Sequence, residues 1–211
     1  NGPGMLLGPA GDHVNYLFYE NDPGVVIPDM RRPLHVPGRN AALPEFSWME
    51  FDINDLSAGK ASLMQSIMDA TDTDLSRFLK DNNGKLLLYH GWNDALSSPG
   101  ATLGYFEDMV ETTFSNDLEA AMASTRLFFA PGMGHCGGSV GPNTWDKLSA
   151  LVDWVENEKA PDSITATHRS NGVVDNERLL CPHPQEPIYT GPLGGENNPD
   201  NWLATNFSCR E

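Results

Sequence analysis

Two residues in this sequence stand where acid–base chemistry is done. Asp94 lies in Gly91-Trp92-Asn93-Asp94-Ala95, directly after the apolar run Lys85-Leu86-Leu87-Leu88-Tyr89-His90-Gly91. His135 lies in Pro131-Gly132-Met133-Gly134-His135-Cys136-Gly137-Gly138, directly after a second run, Arg126-Leu127-Phe128-Phe129-Ala130. A carboxylate that holds one ring nitrogen of a histidine frees the other nitrogen to act as a base toward a hydroxyl. Singly, Asp94 reads as a turn residue and His135 as a satisfied loop histidine. Together, in this order and flanked by glycines, they read as a catalytic pair. A metal site built from His90, Asp94, His135 and Cys136 is the rival. His90 and Asp94 are four apart across a strand-to-loop transition and not on one helix face, and no ligand spacing matches, so no metal is assigned.

The nucleophile is harder to place. Gly137-Gly138-Ser139-Val140-Gly141 satisfies G-x-S-x-G, but a nucleophile elbow needs its serine on a tight turn directly after a strand. In that fold the serine also precedes the acid and the base in the chain. Ser139 instead follows His135 and reads as part of a flexible loop. The acid and base are present, and no serine here occupies an elbow.

Both apolar runs have strand length and read as parallel strands buried on two faces. Pro99 opens a helix between them, with Leu103, Phe106, Met109 and Val110 on one stripe. Asn143 is expected to cap a following helix with Asp146 at its third position, and Trp145, Leu148, Leu151, Val152 and Val155 as the buried face. Strand, helix, strand, helix is the pattern of a parallel α/β sheet, whose functional loops follow the C-terminal strand ends. Consecutive parallel strands would open the Asp94 and His135 loops on one edge. Two strands do not complete such a sheet, so the rest is expected from unrecognised segments or another chain. Upstream, Leu63–Met68 and Asp74–Leu79 read as short helices, the second capped by Asp72 or Thr73. Residues 1 to about 50 are rich in turn formers, with Tyr16–Tyr19 as one short strand.

The chain has 211 residues with 29 acidic and 13 basic side chains, a formal charge of −16. No basic stripe exists to neutralise phosphates, which excludes nucleic acid and anionic membrane surfaces as partners. No apolar run approaches the ~20 residues of a membrane span. The start, Asn1-Gly2-Pro3-Gly4, lacks an initiator Met and a signal region, so either a targeting segment is gone or this is the C-terminal piece of a longer protein.

The three cysteines read either as reduced core thiols or as a disulfide plus a remainder. Cys181 and Cys209 bracket a Pro/Gly/Asn-rich tail that a disulfide would close, as in secreted proteins, and Asn206-Phe207-Ser208 is a glycosylation sequon. Cys136 is then left over, implying a partner outside the chain. The expected location is extracellular or periplasmic.

These motifs resemble the tannase and feruloyl esterase family. The resemblance is carried by Ala70–Ser76, Gly84–Asp94, Ala130–Gly138, Leu180-Cys181-Pro182-His183-Pro184 and Asn206-Phe207-Ser208-Cys209, over roughly residues 60–210. It implies the C-terminal portion of an α/β-hydrolase fold (61–211, with a disulfide-closed tail at 181–209) preceded by an irregular lid-like segment (1–60). It implies Asp94 as triad acid and His135 as base, with the serine in a Cys-Ser elbow upstream. It also implies that Cys136 pairs with the cysteine of that elbow, on an N-terminal portion of the same precursor. No cofactor is expected in this chain. Many members carry a calcium loop in a lid portion absent from this sequence. The implied activity is hydrolysis of esters of aromatic acids, of the hydroxycinnamic or gallic type. Trp92-Asn93-Asp94 departs from the commoner family form, which has Ala or Ser before the Asp. A non-catalytic secreted binding module on a hydrolase scaffold is the alternative from another class.

Overall fold

Strands β1 (Leu86–Gly91) and β2 (Thr125–Ala130) run parallel, paired from Leu86 with Thr125 to Gly91 with Ala130. They therefore end level, and the loops that follow open on one edge. The computed structural model describes residues 69–137 and 139–211. The lid-like segment expected at 1–60, its strand at Tyr16–Tyr19 and the helix at Leu63–Met68 lie outside the described residues.

A parallel pair needs a crossover. It is supplied by α1 (Pro99–Phe114) and the short α2 (Leu118–Met122). Pro99 sits in the first turn of α1, where a missing N–H costs nothing. Ser115, left-handed at φ 56°, ends the helix, and its N–H reaches the Glu111 carbonyl at 2.9 Å. The Asp117 carboxylate caps α2 by accepting the Ala120 N–H at 2.9 Å. Phe106, Met109, Val110 and Phe114 of α1 pack with Leu79, Ala121 and Leu127 in one buried cluster. Phe128 and Ala130 point the other way, into a second cluster with Met133, Ile164, Ala166 and Leu180. With a core on each face, β2 needs apolar residues at successive positions, which is why it reads as an unbroken run.

The second cluster is closed by an antiparallel hairpin that the sequence reading did not identify. It comprises β3 (Ile164–Ser170) and β4 (Val173–Leu180). Its turn is Asn171-Gly172, with φ of 52° and 81°, the signs a two-residue type I′ turn requires. Beyond it, β5 (Glu186–Tyr189) pairs antiparallel with β6 (Phe207–Arg210), and a disulfide joins Cys181 to Cys209. The far edge of β2 is occupied, because the His183 N–H donates to the Leu127 carbonyl at 2.7 Å and Phe128 bridges to Pro182. Among the described residues, β1 pairs with β2 alone.

Two expectations are corrected. The helix expected over Asp74–Leu79 begins later, as a π-helical turn at Arg77–Asp81. The Asp72 and Asp74 carboxylates take the N–H groups of Asp74 and Ser76, side-chain turns that compete with helix. The helix expected from Asn143 is α3 (Lys147–Asn157), capped by Asp146, which accepts the Ser149 N–H at 2.9 Å. Asn143 and Thr144 instead donate their N–H groups to the Thr167 carbonyl of β3. The stripe of Leu148, Val152 and Val155 is exposed, not buried. Trp154, under the Arg126 guanidinium, is the buried residue, and Ala150, four positions earlier on the same face, packs on the second cluster. Periodicity located an apolar face, but the hairpin packs on the opposite one.

Candidate active site

The chain leaves β1 at Gly91, and the Trp92 N–H still bonds the Ala130 carbonyl at 3.0 Å. A β-carbon on Gly91 would collide with the Met133 carbonyl, so glycine is what lets the two loops touch. The Asn93 N–H then donates to that same Met133 carbonyl at 3.0 Å. Farther along the second loop, Gly141 returns to bond Gly132 at 2.9 Å, where a side chain would strike the Pro131 carbonyl.

Within this lacing Asp94 is held from both sides. Its Oδ1 accepts the N–H groups of Leu96 and Ser97, each at 2.9 Å. Its Oδ2 meets His135 Nδ1 at 3.0 Å. The Ser97 N–H, opposed by partial burial and aided by the His135 bond, holds the Asp94 carboxyl well below the usual carboxylate range. An ionised carboxylate only accepts, so His135 Nδ1 carries a proton, and Nε2 is the ring nitrogen left for other partners. The Asp94 side chain is 7 % exposed while that of His135 is 46 % exposed. Asp94 is thus shielded while His135 is exposed, and a histidine held in this way can act as a general base.

His135 opens a single 3-10 turn, His135–Gly137. Ser139 lies beyond it at φ 82°, and its hydroxyl accepts from Asn93 Nδ2 at 2.9 Å. The serine of the G-x-S-x-G pattern therefore bridges the two loops rather than meeting His135. Sequence reasoning missed Asn93, for which only its place beside Asp94 was a signal. Of the residues considered as metal ligands, His90, Asp94 and His135 do come together: Asp94 Oδ2 is hydrogen-bonded to His135 Nδ1 at 3.0 Å and lies 3.3 Å from His90 Nε2. Among the described residues, no group of three His, Cys, Asp or Glu side chains is arranged to hold a metal ion.

Trp92 stacks on Phe129 with ring centroids 4.1 Å apart. Both line a cleft of about 500 Å³ whose walls also include Leu103, Arg178 and His183 but neither Asp94 nor His135. Asn206, the sequon residue, is half-buried, and its Nδ2 donates to the Asn201 carbonyl at 2.8 Å. No helix among the described residues is long and apolar enough to cross a membrane.

The family model for tannase and feruloyl esterase matches residues 37–200. The chain belongs to that family. The mono(2-hydroxyethyl) terephthalate hydrolase of Piscinibacter sakaiensis is 40 % identical over 168 residues, covering 76 % of this chain and 26 % of that protein. Feruloyl esterase B of Aspergillus niger is 32 % identical over 170 residues, covering 71 % and 31 %. Among solved structures, an esterase from Aspergillus oryzae superposes with a TM-score of 0.65 at 26 % identity, covering 80 % of this chain and 35 % of that one. The fold is therefore of α/β-hydrolase type, with β1 and β2 as its parallel strands. The chain spans between about a quarter and a third of the length of these relatives.

Proposed function

We propose that this family member supplies the acid and the base of a Ser-His-Asp triad in a secreted serine carboxylesterase acting on esters of aromatic acids. Hydroxycinnamic (feruloyl) esters are the favoured substrates, and gallate and terephthalate esters are the alternatives. The observation that carries the reading is the 3.0 Å contact of buried Asp94 with exposed His135 at the ends of two parallel strands. The names of the relatives supply the ester chemistry.

In this mechanism the serine stands on an N-terminal portion of the same precursor, joined through Cys136. His135 Nε2 takes the seryl proton as the oxygen attacks the ester carbonyl carbon. The tetrahedral intermediate collapses, the bond to the alkoxy oxygen breaks, and the imidazolium returns the proton to the leaving alcohol. Water then gives a proton to Nε2 as its oxygen attacks the acyl carbon, the bond from that carbon to the seryl oxygen breaks, and the imidazolium returns the proton to the serine as the aromatic acid leaves. Asp94 stays ionised throughout, fixing the Nδ1–H tautomer and stabilising the imidazolium. The Cys181–Cys209 disulfide supports an oxidising compartment.

The test is hydrolysis of methyl ferulate, methyl gallate and mono(2-hydroxyethyl) terephthalate by the full-length protein, with intact mass measured before and after reduction. Turnover of at least one ester, lost in His135→Ala, is expected. An inert protein with Cys136 unpaired would favour a non-catalytic module.

A further inference from the structure

His90 lies on β1, four residues before Asp94, and its side chain is 14 % exposed. Its Nε2 stands 3.2 Å from the Ser97 carbonyl and 3.3 Å from Asp94 Oδ2. Its Nδ1 stands 2.7 Å from the hydroxyl of Thr102, on α1. A carbonyl and an ionised carboxylate can only accept, so Nε2 must carry a proton. The Thr102 hydroxyl can donate or accept, so it satisfies Nδ1 in either role and anchors the ring to α1.

The carboxylate of Asp94 has about four acceptor positions. Two on Oδ1 take the Leu96 and Ser97 N–H groups. Oδ2 faces His135 Nδ1 on one side and His90 Nε2 on the other. Among the described residues these two rings are what face Oδ2, so His90 braces that oxygen alongside His135. We propose that His90 is a positioning residue. Its Nε2–H fixes the Asp94 carboxylate, and through it the His135 ring, in the orientation proton transfer needs, with Thr102 holding His90 in turn. This rests on the triad role proposed above for Asp94 and His135.

The experiment uses the full-length enzyme with His90→Leu, His90→Gln, His90→Asn and Thr102→Val. The amide nitrogen of Gln falls where Nε2 lies, and that of Asn falls where Nδ1 lies. His90→Leu is expected to lower kcat by ~10- to 100-fold, the scale of a misplacement of about 1 Å, with KM unchanged within about twofold. His90→Gln restores most of kcat, His90→Asn does not, and Thr102→Val falls between. Proton–nitrogen NMR should show His90 protonated at Nε2. It should also show the His135 Nδ1–H resonance shifting in His90→Leu and returning in His90→Gln. Equal loss in Leu and Gln variants, a loss confined to KM, or an unprotonated His90 Nε2 would overturn the proposal. A wild type inert toward all esters, in which the His135 resonance still follows His90 as stated, would overturn the esterase reading and leave the positioning intact.

Discussion

The Asn93 side-chain amide donates to the Ser139 hydroxyl at 2.9 Å, tying the loop after β1 to the loop after β2. The tie sits one residue from Asp94 and four from His135, so it holds the Asp94 loop against the His135 loop. It also gives the serine of the G-x-S-x-G pattern a structural occupation.

Ser139→Ala removes one accepting hydroxyl from an exposed contact, worth about 1 kcal/mol. Ester hydrolysis by the full-length enzyme should fall by no more than a few fold. A loss of several orders of magnitude would return Ser139 to the role of nucleophile.

Asp94→Asn presents an amide where a carboxylate held the His135 tautomer, and its kcat should fall on the order of 10⁴-fold. His135→Ala should cost as much or more. Because both act through one imidazole, the double variant should be as slow as His135→Ala alone. Multiplicative losses would show that Asp94 acts somewhere other than on His135.

The depressed pKa of Asp94 fixes the sign of its pH dependence. A carboxyl more acidic in the folded than in the unfolded chain stabilises the fold above the ordinary carboxylate range. That contribution is lost only as pH falls through the depressed folded value. The carboxyl carbon resonance of Asp94 should therefore stay that of the ionised form from neutrality down to about pH 3, below the ordinary aspartate value near 3.9. A titration step centred near 3.9 would contradict the hydrogen-bonding pattern described for Oδ1 and Oδ2.

The Cys181–Cys209 disulfide closes a loop with a sequence separation of 28. In the chain-entropy model a loop of that length stabilises by about 3–4 kcal/mol. The Cys181→Ser, Cys209→Ser double variant should show a correspondingly lower unfolding free energy. An unchanged denaturant midpoint would mean that β5 and β6 hold the tail without it.

Much of this was legible before the structure, for reasons that differ by element. The β1–α1–β2 unit was readable because Pro99 marks a helix start and both strands are apolar on two faces. Asp94 and His135 followed from where such strands end. The hairpin was missed although Asn171-Gly172 and the alternation of Ile164 and Ala166 signalled it, because polar residues occupy its far end around His168 and Arg169. The outward face of α3 could not be read at all, since periodicity gives a stripe and not its partner. His90 drew notice only as a metal ligand. Its actual neighbours, Ser97 and Thr102, come from a turn and a helix that only the folded chain brings to it.

The central claim is that His135, with Asp94, activates a serine that these 211 residues do not contain. Fluorophosphonate labelling of the full-length protein, followed by peptide mapping, tests it most directly. The label should fall on a serine outside this chain's sequence, and the labelling rate should drop at least ~10³-fold in His135→Ala, because the imidazole is the base proposed to accept the seryl proton. A label on Ser139, or a wild-type labelling rate in His135→Ala, would contradict it.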